Sequence, residues 1–226
     1  MLRYIVFFLF IPYMAMGQTI YNPYGNNLPS TKVGGNNYLE INNQGRVTAI
    51  GDSAVWYKEI IVRPGAAIRN PVSSKPDIIE WNSVGQTFSF DATTNESLFF
   101  HVEIPHDIKI NTNLNAHVHW MPSTTNAGTV RFKIAWMSRA IDSTFVFTAS
   151  DTLSAQQAGS GTLYKHQFLA LGDIPIITNA NGVSSLLVGV LLRDASHDTG
   201  TFEALYGDLG FHYKADVLGS RWEMVK

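Results

Sequence analysis

The stretch TVRFKIAW, Thr129–Trp136, alternates apolar and polar residues. Successive side chains of a strand point to opposite faces. Phe132, Ile134 and Trp136 are therefore expected inward, and Arg131 and Lys133 outward. The same period of two runs through SLFFHVEIP, Ser97–Pro105, where Phe100, Val102 and Ile104 share one face and Phe99, His101 and Glu103 the other. In DLGFHYK, Asp208–Lys214, it sets Leu209, Phe211 and Tyr213 against Asp208, His212 and Lys214. SSLLVGVLLRD, Ser184–Asp194, is apolar on both faces, the mark of a central strand covered on both sides.

Working outward, AVWYKEIIVRPG opens the main domain as a strand ended by Pro64-Gly65. Further strands are expected at Thr87–Phe90, Ser97–Ile104, Ala116–Met121, Val130–Ser138, Thr144–Thr148, Leu163–Leu171, Ser185–Arg193 and Leu205–Lys214. Turn residues separate nearly all of them, and no window carries a capped helical period. Short, regularly punctuated strands indicate a sandwich or barrel. Before them, Tyr38–Ile41 and Arg46–Ile50 flank NNQG, a hairpin turn signal. Residues 18–35 read as an arm rich in Asn, Gly and Pro. Met1–Gln18 reads as a secretory leader: Arg3, an apolar run from Tyr4 to Ile11, then Ala15 and Gly17 before a cut at Gln18. The expected fold is thus all-β, a jelly-roll-like β-sandwich at 53–226 preceded by an arm and short β-hairpin at 18–52 and a signal peptide at 1–17.

The chain has 226 residues, 45% hydrophobic and only 15% charged, which suits an all-β extracellular or particle-surface protein. A net charge of −2 gives no electrostatic case for nucleic acid. The absence of cysteine excludes disulfides, zinc-thiolate sites and thiol nucleophiles.

LNAHVHWMP, Leu114–Pro122, places His117 and His119 on one face of a strand. His101 and His212 also lie opposite apolar stripes. If these strands are neighbours, the four imidazoles converge and offer ligands for a divalent metal. The spacing invites comparison with cupins, which hold metal through H-x-H, a nearby Glu and a later His. However, no Glu follows His119 at the right distance, and GDLGFHYK lacks a Pro-x-Gly lead-in. A variant puts the H-x-H pairs of three chains on a threefold axis. The competing reading is of sheet-surface or interface histidines with no cofactor. RDASHDTG supplies Asp194, His197 and Asp198, readable as a loop metal or acid/base site or as a solvated loop. Asp208 with Glu203 has the composition of a glycosidase pair, with nothing to fix their separation. Arg193-Asp194 reads as an ion pair at a sheet edge, and Asn95-Glu96-Ser97 is a formal glycosylation sequon. No G-x-S-x-G, Walker or dinucleotide motif occurs, and no enzyme is expected.

Five stretches in order, GRVTAIGDSAVWYKEIIV, ESLFFHVEIPHDIKINTNLNAHVHWMP, VRFKIAW, LLRD and GFHYKADVLGSRWEMVK, resemble a family of tailed-phage and prophage virion proteins over residues 36–226. The resemblance implies a jelly-roll-like, trimeric structural or decoration protein on a capsid or tail, with no enzymatic activity. Its partners would be copies of itself, other virion proteins and a host-surface glycan. It would act through the loops Arg69–Asp77, Ser123–Gly128 and Ala195–Thr201. The location would be the virion, or the periplasm or exterior if the leader acts. The alternative is a secreted carbohydrate- or surface-binding β-sandwich, for which Trp56, Trp81, Trp120 or Trp222 would be stacking platforms if exposed. Core packing is the expected role of Trp56, Trp120 and Trp136. A cupin-like metal-binding protein is the third reading.

Overall fold

A computed structural model describes residues 36–41, 47–51, 54–71, 74–81, 83–141, 143–144, 151–176 and 185–218. The expected leader, the arm, the Asn42–Gly45 turn, most of Thr144–Thr148 and Trp222 lie outside the described residues. In chain order the strands are β1 (Tyr38–Ile41), β2 (Val47–Ile50), β3 (Trp56–Val62), β4 (Ile68–Arg69), β5 (Asp77–Trp81), β6 (Gly85–Phe90), β7 (Glu96–Ile104), β8 (Asn113–Pro122), β9 (Thr129–Ala140), β10 (Asp151–Ala158), β11 (Gln167–Pro175), β12 (Ser185–Arg193) and β13 (Ala204–Ala215). The described residues contain one short 3-10 turn, Ala195–His197, as their helical element.

Two antiparallel sheets face each other. One has the order β10-β9-β12-β7-β4, the other β11-β8-β13-β6-β5, with β3 also paired to β13. From β6 to β13 the chain fills two four-stranded layers, β10-β9-β12-β7 and β11-β8-β13-β6, which is the strand order of a jelly roll. β13 shares one edge between two partners: Ala204 and Leu205 pair with β6, and Leu209 to Ala215 pair with β3. β1 and β2 pair antiparallel, and Ala49 N–H donates to Asp216 O while Leu218 N–H donates to Val47 O. The tail after β13 thus ties β2 to the sandwich.

The interior is aromatic. Trp120, Phe90, Phe132 and Phe211 are fully buried, and Phe90 meets Phe132 edge-on at 5.6 Å. The faces expected from alternation in β7, β9 and β13 are those observed, with Trp136 6% exposed and Trp56 partly buried against the core. Each buried Phe or Leu contributes about 1.5–3 kcal/mol, so this interior holds without cross-links. Tyr206 anchors it by donating from its hydroxyl to Val62 O.

Three differences from expectation have physical causes. β12 is central, but Leu186, Val188, Val190 and Leu192 on its outer side are only half-buried, so its apolarity on both faces does not mean cover on both. Leu163 is 46% exposed and lies in a turn; the strand expected there starts at Gln167 and runs to Pro175. β10, Asp151–Ala158, was not expected: its inward positions carry Leu153, Ala155 and Gln157, and Gln157 Oε1 accepts the indole N–H of Trp120 at 2.9 Å. A polar residue facing inward breaks the alternation while satisfying a buried donor.

Arg193 has no exposed surface. It does not pair with Asp194 as expected. Its Nε donates to Asp198 Oδ2 at 3.0 Å, and its other nitrogens donate to the carbonyls of Phe90, Phe202 and Gly200. This single side chain fastens the 194–202 loop to the end of the sandwich. Asp194 instead binds His197 and Ser196, both within 2.9 Å of its Oδ1. Ser196 and Asp194 share the same His197 nitrogen, Nδ1, so the three do not form a relay. Burial pushes the Asp194 carboxyl up, but these hydrogen bonds outweigh it and hold it below the usual carboxylate value.

Candidate functional site

β8 sits between β11 and β13, and its outward residues include Asn115, His117 and His119. Cross-strand register sets their neighbours. His119 is flanked by Phe168 on β11 and Asp208 on β13; His117 by Ala170 and Gly210; Asn115 by Asp173 and His212. Beyond β13, Glu59 on β3 stands opposite His212. The histidines therefore lie on the outer face of the six-stranded sheet. A metal held inside the barrel in the cupin manner does not fit this placement, because the interior side of β8 carries the buried Leu114, Ala116, Val118 and Trp120.

Both strands beside β8 are irregular at this level. β11 shifts register between Ala170 and Gly172, where Gly172 takes φ +130°, and β13 shifts between Tyr206 and Asp208. A bulge re-aims the side chains around it. The one at Gly207 lets Tyr206 point inward while Asp208 points outward beside His119. Gly210 has a separate role: a Cβ there would overlap His117 Nε2 and Glu59 Oε1. The missing side chain lets the His117 ring lie across β13 toward Glu59.

The imidazoles pack as a group. The His117 ring centroid lies 5.0 Å from His119, 4.5 Å from His212 and 4.7 Å from Phe168. His119 Nδ1 is 2.6 Å from His166 Nε2 and hydrogen-bonds with it. His117 Nε2 is 2.9 Å from Glu59 Oε1, and His212 Nε2 is 3.7 Å from the same oxygen. His119 Nε2 is 3.9 Å from Asp208 Oδ1. His117 is only 1% exposed although it faces away from the core. Its contact with Glu59 lacks the alignment of a hydrogen bond, and neither ring nitrogen has another partner. Burial, then the neighbouring His212 and His119, hold its pKa below the usual imidazole value against the pull of Glu59.

Of the four expected histidines, the structure brings together His117, His119 and His212. His101 is on β7 in the other sheet, where it borders an apolar hollow of about 360 Å³ with Phe99, Trp136, Met137, Val188 and Val190. The neighbour condition on which its convergence depended is not met, because β7 pairs with β12 and β4. Of the other expected candidates, Asp208 stands in the cluster beside His119, and the rest are engaged apart from it. Asp198 is bound to Arg193, and Glu203 Oε2 accepts from Ser89 Oγ at 2.6 Å. Sequence reasoning missed Glu59, His166 and Phe168. Glu59 supplies the carboxylate that H-x-H lacks downstream, and it comes from the strand that opens the domain. Alternation along β3 puts Glu59 on one face with Tyr57 and Ile61, but only the β3–β13 pairing gives its position.

No protein-family model and no curated protein matches the chain. Three similar solved structures overlap it loosely. TmCBM61 in complex with β-1,4-galactotriose is 12% identical, covers 73% of this chain and 88% of its own, and has a TM-score of 0.28. Dimeric latent PorU from Porphyromonas gingivalis is 13% identical with a TM-score of 0.32, and the match spans 72% of this chain but 13% of that one. The third, described among carbohydrate-binding modules of the β-sandwich superfamily, is 11% identical over 86% of this chain and 76% of its own, with a TM-score of 0.26. Overlaps this loose assign no function.

Proposed function

We propose that the protein is a non-enzymatic binding module whose working surface is the outer face of the six-stranded sheet, and that its ligand is a surface glycan. The observation that carries this reading is the composition of that face. Phe168 is 46% exposed and packs beside the His117 and His119 rings. Hydrogen-bonding groups share this face: Asn113 and Asn115, both donating to Asp173, and Asp208 with His212. At the far end Tyr57 is 70% exposed, with the Lys214 ammonium 6.0 Å from its ring centroid.

A sugar offers an apolar C–H face and a rim of hydroxyls. An exposed ring bordered by amides, carboxylates and imidazoles meets both requirements, and aromatic side chains give large contact area for little lost freedom. Of the tryptophans expected as platforms, Trp120 is buried, Trp56 is partly buried against the core and Trp81 is partly buried beside Tyr164 at 6.1 Å, while Trp222 lies outside the described residues.

The jelly-roll order is common to viral capsid and lectin domains, so the fold does not choose between this reading and a virion role. A glycan array probed with the full chain tests the proposal. Binding to a defined group of glycans is expected, with Phe168→Ala losing about tenfold or more (roughly 1.4 kcal/mol or above). No binding anywhere on the array, or binding indifferent to Phe168→Ala, contradicts it.

A further inference from the structure

Four buried side-chain nitrogen or oxygen atoms among the described residues lack a hydrogen-bond partner. Three of them, His117 Nδ1, His117 Nε2 and Asp208 Oδ1, belong to the one outer patch around His119. Native proteins satisfy nearly all such atoms, and an exception calls for a water or an ion. The donor chemistry selects between the two. Glu59, His117 and His119 each present a ligand atom, all within 4.8 Å of one another. His117 Nε2 and Glu59 Oε1 stand 2.9 Å apart off the hydrogen-bond axis. Two ligands around a tetrahedral zinc ion at ~2.0–2.1 Å make an edge of roughly 3.3 Å, so the pair has to open only slightly from 2.9 Å to form a chelate edge.

We infer that Glu59, His117 and His119 bind one divalent first-row transition-metal ion on the outer face of the six-stranded sheet, with His166 fixing the orientation of His119. Two imidazoles and one carboxylate favour zinc, nickel, cobalt, copper or iron over calcium and magnesium, which take oxygen ligands. His166 occupies His119 Nδ1 and leaves Nε2 for the ion. Metal-bound histidines characteristically have their other nitrogen held in this way. Glu59 keeps 29% of its side-chain surface exposed, which leaves it room to close by rotation onto the buried His117. His212, beside Glu59, and Asp208, beside His119, are the next groups in reach for a further position. Gly210 explains why the arrangement is possible at all, since a side chain there would occupy the gap between His117 and Glu59. The site is independent of the glycan reading, because it is tested with metal alone.

The test is calorimetric titration of zinc chloride into the full-length chain after chelator treatment, with Co²⁺ absorption as a second readout. One zinc per chain is expected, together with visible Co²⁺ bands of a low-coordinate nitrogen and oxygen site. His119→Ala and Glu59→Gln should each weaken binding by at least about tenfold, and His166→Ala by about tenfold. His101→Ala, on the other sheet, should leave it unchanged. Circular dichroism of each variant reports folding; should Glu59→Gln fail to fold, the partly exposed His119 decides alone. Absence of stoichiometric binding overturns the inference, as does binding that survives His119→Ala or that falls with His101→Ala.

Discussion

His117 faces away from the core and is still buried, because its neighbours close over it: His212, His119 and Phe168 on the sheet, with Glu59 reaching across β13. The gap it lies in exists because position 210 is glycine. Gly210→Ala should therefore act on the site and on stability together. The new methyl meets the buried ring, which has nowhere to move, as well as the flexible end of Glu59. Overpacking of this kind costs about 1–3 kcal/mol. Urea denaturation should show that loss, and zinc titration of the same variant should show weakened binding. An unchanged midpoint would mean that His117 is not confined as described.

At the scale of elements, alternation was a reliable guide wherever a strand has one greasy side. The faces of β7, β9 and β13 were legible from Phe100, Phe132 and Phe211 alone, and so was the outward placement of His117 and His119. What local pattern does not carry is which strand lies beside which. His101 and His117 look equivalent in sequence, yet β7 and β8 belong to opposite sheets, while Glu59, far upstream, becomes a neighbour through β3. β10 shows a second limit, since Gln157 faces inward to receive the Trp120 indole. Replacing it tests that account. Gln157→Met keeps the volume but leaves a buried N–H unsatisfied, at a cost of about 1–3 kcal/mol. A fall in melting temperature with an unchanged β-sheet circular dichroism spectrum is expected; full retention of stability would show that the indole finds another acceptor.

The two sides of one sheet differ in chemistry. The inner side of β8 and β13 supplies Trp120, Val118, Leu209 and Phe211 to a filled interior, and the outer side supplies histidines, carboxylates, amides and an exposed phenylalanine. On the proposed reading, stability rests mainly on the inner residues of these strands and binding on the outer ones. The opposite sheet differs in character: its outer side around β12 is apolar and bears His101 as an isolated imidazole next to Phe99 and Val188. The central claim is that the histidine-bearing face is the one that works. Its most direct measurement is a map of backbone amide shifts of the isotope-labelled chain during titration with the strongest oligosaccharide from the array. Shifts concentrated at residues 115–119, 168–173 and 208–212 are what the account predicts. Shifts confined to β7 and β12, or to the 123–128 and 195–201 loops, would contradict it.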